Sequence, residues 1–131
     1  MPPRARPVLF ALVVLFPIQA AAHHHVGCPN DTSSTLTVTG RIVEVEWANP
    51  HVHIRLEGGT APDSAQWVVE TQNPRALERM GLPSTALKIG DAMTVVLWRA
   101  KDGSRQGFTK SITLNNGTTV AFPIAELGCP F

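Results

Sequence analysis

The chain has 131 residues, eleven Lys and Arg against ten Asp and Glu for a formal charge of +1, and 44% hydrophobic residues. That length allows one domain and that composition builds a core, which excludes both a two-domain enzyme and a disordered chain. The near-neutral balance argues against a strongly basic nucleic-acid binder.

Residues 1–22 carry the marks of a secretory signal. Arg4 and Arg6 precede an apolar stretch over 8–18 broken only by Pro17, and Ala20, Ala21 and Ala22 supply a small-residue cleavage pattern. The stretch is about eleven residues, short of the roughly 20 that a membrane span requires. Cleavage is expected after Ala22, giving a periplasmic or secreted chain with no membrane association and with nine basic against ten acidic residues.

Residues 23–35 read as a polar N-terminal segment that opens on His23, His24 and His25. Cys28, within it, and Cys129, near the far end, are an even pair in an exported chain, and a disulfide between them is the favoured reading. It closes a loop of about 100 residues, worth roughly 4–5 kcal/mol in the chain-entropy treatment. Two thiolates sharing a metal with nearby histidines is the alternative, but no C-x-x-C spacing favours it.

From Leu36 the apolar period is two. Val43, Val45 and Trp47 fall on one parity and Glu44 and Glu46 on the other, with Ile42 on the polar side and Arg41 on the apolar side as exceptions. After Ala48-Asn49-Pro50, residues 51–57 alternate again, with Val52, Ile54 and Leu56 on one side. This is an antiparallel hairpin, and matching its apolar faces fixes the register. Trp47 then faces Val52 and Val45 faces Ile54, while on the other side Glu46 meets His53 and Glu44 meets Arg55.

A Gly- and Pro-bearing loop leads to a third strand over 66–71, with Trp67 and Val69 on one parity. A short helix follows, with Asn73 as N-cap, Pro74 at its first position, Gly81 as its stop, and Leu77 and Met80 turned to the core. Residues 93–100 form a nearly continuous apolar run, read as a strand buried on both faces. Asp102-Gly103 turns into a strand over 108–114 whose Phe108, Ile112 and Leu114 share a face, and Asn116-Gly117 turns into a last strand over 118–122. Three strands, a helix and two or three more strands is the order of a mainly β, OB-fold-like domain over 36–122. It is expected as a partly open barrel of five to six strands with its one short helix between strands three and four. A plain β-sandwich is the competitor, and the placement of the helix favours the barrel. Residues 123–131 form a C-terminal tail.

An ordered series of short motifs runs through this domain. It comprises Ala22-His23-His24, Val45-Glu46-Trp47-Ala48-Asn49-Pro50-His51, Trp67 with Glu70, Asn73-Pro74-Arg75-Ala76-Leu77, Gly81, Leu87-Lys88-Ile89-Gly90-Asp91, Ala100-Lys101-Asp102-Gly103-Ser104 and Ile112-Thr113-Leu114. In that series the chain resembles an exported bacterial family of unknown function, numbered 6152 among such domains. The resemblance implies an exported bacterial protein of this fold and supplies no activity. His25, His53 and the cysteine pair are additions to the family pattern.

The histidines are the only concentrated chemistry. After cleavage, the terminal amine, two amide nitrogens and an imidazole at the third residue can close a square around Cu(II) or Ni(II). A cut after Ala20, Ala21 or Ala22 places His23, His24 or His25 there. The plainer reading of the triplet, an ordinary polar terminus, is preferred. His51 and His53, two apart on a strand, could join such a metal site or Glu70. The plainer reading pairs His53 with Glu46 and leaves His51 bonded to the turn after Pro50. Arg99, Lys101, Arg105 and Lys110 make a local basic stretch, but the charge and the lack of regularly spaced exposed aromatics argue against nucleic acid.

No G-x-S-x-G or H-E-x-x-H motif is present, and neither cysteine lies near a recognisable base. No catalytic residue and no resident cofactor are therefore expected. The chain reads as a non-enzymatic exported binding or structural module whose ligand or protein partner the sequence does not name. A periplasmic copper- or nickel-binding protein is the alternative.

Overall fold

The computed structural model describes residues 30–58 and 65–123, together with Met1. The expected signal, His23, His24, His25, Cys28 and Cys129 lie outside the described residues.

Six strands and one α-helix follow one another as β1 (Asn30–Glu46), β2 (His53–Gly58), β3 (Ala65–Glu70), α1 (Pro74–Arg79), β4 (Ala92–Ala100), β5 (Gln106–Leu114) and β6 (Thr119–Ala121), with a 3-10 turn at Ser84–Ala86. The organising element is β1, whose early part pairs with β4 and whose later part pairs with β2. The hand-over occurs at Gly40, opposite Gly58 on one side and Met93 on the other. A side chain there would bring its Cβ to 2.5 Å from the Glu57 carbonyl oxygen, so glycine is what allows the two ladders to cross.

The sheet order is β3-β2-β1-β4-β5-β6, antiparallel between neighbours. A parallel pairing of Val68, Val69 and Glu70 with Gln106, Gly107 and Phe108 joins β3 to β5 and closes five strands into a ring. β6 adds to the remaining edge of β5 through Ser111, Ile112 and Thr113. Five strands in this order, with the helix between the third and fourth, are the OB-fold arrangement expected from the sequence.

The hairpin register is as expected, with Glu44 opposite Arg55, Val45 opposite Ile54 and Glu46 opposite His53. Strand parity needs two corrections, both caused by β-bulges. Between Ile42 and Glu44 the ladder shifts, so Val43 is the extra residue. The shift turns Ile42 into the core and Arg41 out to solvent, which accounts for the two exceptions in the alternation. Between β4 and β5 a second shift leaves Lys110 unpaired. It puts Thr109 and Ile112 on the inner side and turns Phe108 outward, so Phe108 does not share a face with Ile112 and Leu114.

β1 opens at Asn30 rather than Leu36, so residues 30–35, expected as part of a separate polar segment, already belong to a strand. Trp47 and Val52 do not extend the hairpin, because β1 ends at Glu46 and β2 begins at His53. Val52 is instead tied to the exit of β3, its N–H donating to Gln72 O (3.1 Å) and its carbonyl accepting from Thr71 N (3.0 Å). β4 is not buried on both faces throughout. Met93, Val95 and Leu97 are fully buried, whereas Thr94 and Val96 between them are half-buried.

Inside the ring, Ile42, Ile54, Leu56, Val69, Met93, Val95, Leu97 and Ile112 form the core, with Val45, Trp47 and Trp67 packed against it. The helix closes one end through Leu77, followed by Leu82. Asn73 caps it by accepting from Ala76 N at 2.9 Å, Pro74 occupies its first turn, and Gly81 follows at φ +83°. Among the described residues no helix is long and apolar enough to cross a membrane.

Candidate ligand face

Because the ring is closed, register alone lines up outward side chains around it. One row runs Glu46 on β1, His53 on β2, Glu70 on β3, Phe108 on β5, Trp98 on β4 and Thr35 back on β1. The next row contains Glu44, Arg55, Val68 and Gln106. Polar and charged groups are therefore concentrated where β1, β2 and β3 adjoin, and an aromatic pair lies beside them.

Each outward charge in this region has a near partner. Arg55 Nε lies 2.7 Å from Glu44 Oε2, and His53 Nδ1 lies 3.5 Å from Glu46 Oε2. His51, in the β1–β2 loop, places Nδ1 at 2.9 Å from the Thr71 carbonyl oxygen and 3.6 Å from Glu70 Oε1. A carbonyl only accepts, so His51 Nδ1 carries the hydrogen and donates. The ring meets Phe108 edge-on, with centroids 5.8 Å apart. His51 is thus bonded to the exit of β3, not to the turn after Pro50 as expected.

Two depressions open on this face. One, of about 150 Å³, is bordered by Asn30, His53, Val68, Glu70, Ala100 and Gln106. The other, of about 220 Å³, is bordered by Glu44, Glu46, His53, Arg55 and Val68. They meet at His53 and Val68, so one imidazole and one apolar side chain are common to both. Beyond the first depression, the turn from β4 to β5 is fixed locally. Asp102 accepts from Ser104 Oγ (2.5 Å) and Ser104 N (2.9 Å), which holds its carboxyl below the usual range. Arg99 Nη2 donates to Gly103 O at 2.8 Å.

Of the metal candidates, His51 and His53 are each matched to a single carboxylate. Among the described residues no three His, Cys, Asp or Glu side chains come together around one point. Val68, Gln106 and Asn30 were not picked out from the sequence. The parity of β3 places Val68 beside Glu70, but only the parallel β3–β5 pairing brings in Gln106.

The ring order and the outward polar face define a domain of OB-fold type. The chain belongs to a family of unknown function (DUF6152), whose sequence profile matches residues 11–110. Among solved structures it is similar to a mitochondrial single-stranded DNA binding protein from S. cerevisiae, Rim1, at 15% identity and TM-score 0.49, covering 63% of this chain and 93% of that one. No curated protein matches the chain. The similar chain binds single-stranded DNA by its name, and the expectation of no nucleic-acid partner is withdrawn. That expectation rested on a lack of regularly spaced exposed aromatics and on net charge, an average over the whole surface that excludes no local face. Trp98 and Phe108 pair across β4 and β5, each 4% exposed and so buried.

Proposed function

We propose that the chain is an exported, non-enzymatic binding module that meets its ligand on the outward face of β1, β2 and β3. The observation that carries this is the pair of depressions joined at His53 and Val68, whose walls are held by cross-strand pairs before any ligand arrives. Preorganised polar walls over an apolar floor lower the cost of ordering side chains on binding. The absence of catalysis is part of the same reading. His51 and Glu70 have side chains 37% and 38% exposed, and water at such a pair weakens the field that proton-transfer chemistry needs.

Chemical-shift mapping of the processed chain against a panel of small cations, anions, sugars and oligonucleotides tests the proposal. Shifts centred on His53, Val68 and Arg55, lost in Val68→Trp while the fold is kept, support it. Shifts that cluster elsewhere count against it.

Export rests on the residue 1–22 pattern, and amino-terminal sequencing of secreted material should begin at His23. The Cys28–Cys129 bridge is supported by the pairing of Asn30 with Ala100. β6 also runs back along β5 toward that end, from Thr113 to Ser111. Intact mass with alkylation, before and after reduction, reads it directly.

Copper or nickel binding by the processed terminus is a second reading, favoured by three histidines directly after the expected cut. Removing His23–His25 should abolish a visible d–d band on Cu(II) titration. If the band survives deletion, that reading fails.

A further inference from the structure

We propose that the C-terminal segment 124–128 lies as a strap across the outer surface of Phe108 and Trp98. It closes the β4–β5 side of the sheet and leaves the β1–β3 side as the open face.

Register and exposure disagree at these two residues. Val95 and Leu97 point into the core, so Trp98, next in the alternation, points out, and the β4–β5 ladder sets it opposite Phe108. Neither side chain belongs to the apolar cluster inside the closed sheet, yet each is only 4% exposed. The strands set Thr35 on β1 and Val96 and Ala100 on β4 around Trp98. Outward side chains stand roughly perpendicular to a sheet, so these neighbours cover the flanks of the indole and not its outer surface. His51 meets Phe108 edge-on and covers one rim. The outer surface of the pair therefore takes its cover from another part of the chain.

The point where the described chain ends identifies that part. β6 runs along β5 from Thr113 to Ser111, and Phe122 N then donates to Lys110 O at 2.8 Å, with the Phe122 side chain in the core. The further positions on that edge of β5, Gln106 to Phe108, are taken by β3. Pro123 has no N–H with which to continue a ladder. With the edge occupied and the interior filled, the chain that follows has the outer side to enter, two residues from Phe108. Ile124 and Leu127 supply the apolar side chains for the contact.

The far end of the strap agrees with this path. The bridge proposed between Cys28 and Cys129 ties it close to Asn30, which pairs with Ala100. From Lys110 to that point is about 13 Å along β5 and about 10 Å across two strand spacings. The seven residues 123–129 reach up to about 23 Å, enough to cross over Phe108 and Trp98. The amino-terminal approach is a poorer cover. Its one large aliphatic residue is Val26, and it enters β1 at Asn30, beside Ala100, without passing Phe108. Because Phe108 pairs with Glu70 and Gln106 lines the first depression, release of the strap adds an aromatic surface next to the candidate ligand face.

The test uses the processed full chain, labelled at Ile, Leu and Val methyls, and reads nuclear Overhauser contacts to the Trp98 indole and the Phe108 ring. Contacts from Ile124 and Leu127 are expected. Contacts from Val26 in their place, or none from 124–128, overturn the proposal. Leu127→Asp should lose its contacts, speed exchange of the Trp98 indole N–H and raise the fluorescence of 1-anilinonaphthalene-8-sulfonate, a dye that reports exposed apolar surface. Ile89→Asp, at a residue 69% exposed ahead of the opposite end of β4, should do none of these. If Leu127→Asp leaves both exchange and dye fluorescence as in the parent chain, the strap covers nothing and the proposal fails. No ligand takes part in these measurements, so failure of every probe at His53 and Val68 leaves their outcome unaffected.

Discussion

Single residues set the strain limits of this ring, and glycines at two kinds of position show the difference. At Gly40 the neighbour that a Cβ would meet is the main-chain carbonyl of Glu57, which cannot rotate away. Gly40→Ala should therefore cost about 1–3 kcal/mol, the range for overpacking, and lower the thermal midpoint by several degrees. Gly117 has open space around it but sits at φ +85°, so Gly117→Ala meets only the left-handed backbone penalty of roughly 1–2 kcal/mol. Relaxation of the crossing at Gly40 by a few tenths of an ångström would bring the two costs together; a clear excess at Gly40 marks a rigid crossing. Exposed carboxylates act at this scale too. The Asp102 carboxyl is held low by the Ser104 hydroxyl and amide. Its contribution is thus present above the ordinary carboxylate range and is lost as pH falls through its lowered value. Comparing Asp102→Ala with the parent chain by melts across acid pH should show the stability difference shrinking as pH drops. A difference that stays constant would deny the bond any role in the fold.

At the scale of elements, bulges decide which face a strand presents. Strict alternation puts Val43 with Val45 and leaves Ile42 outside, whereas the ladder shift buries Ile42 completely and leaves Val43 half-buried. Ile42→Ala should then cost about 2–5 kcal/mol and Val43→Ala clearly less. Equal costs, or the reverse order measured by denaturant unfolding, would restore the unbulged strand. The clue was present in the sequence, as the misplaced parity of Arg41 and Ile42, but alternation carries no marker for an inserted residue. The β1–β2 register was legible because only one pairing puts Val45 on Ile54 and opposite charges together outside. The helix was legible because Asn73, Pro74 and Gly81 each have a local conformational reason to sit there. The outward position of Phe108 was not, since a shift at Lys110 reverses a parity that Ile112 and Leu114 otherwise suggest. Likewise the partner of His51 comes from the exit of β3, twenty residues on, where no local pattern points.

At the scale of the whole molecule, the ring depends on one short parallel seam, and that seam also builds the candidate ligand face. β3 and β5 share only three register pairs, whereas β1 and β4 share a far longer ladder. The seam is reinforced by Thr109, fully buried, whose Oγ1 donates to the Glu70 carbonyl at 2.6 Å, and by Val68 N donating to Arg105 O at 2.9 Å. Strand order alone suggests the closure, because a five-stranded OB arrangement ends with the third and fifth strands adjacent. Its length and its threonine bond follow from where the Lys110 shift turns Thr109 inward. Thr109→Val keeps the shape and removes the donor, leaving the Glu70 carbonyl short of a buried partner at a cost of about 1–3 kcal/mol. The loss should be local, since short seams open before long ladders do. Native-state hydrogen exchange should accordingly show Val68 N–H losing protection in Thr109→Val while amides of the β1–β4 ladder lose no more than the drop in global stability requires. Shifts of His53 and Val68 on ligand addition should broaden in the same variant, because their wall is anchored to this seam. Uniform loss of protection around the ring would instead mean that the closure opens only with the whole domain, and that the ligand face is as rigid as the core beneath it.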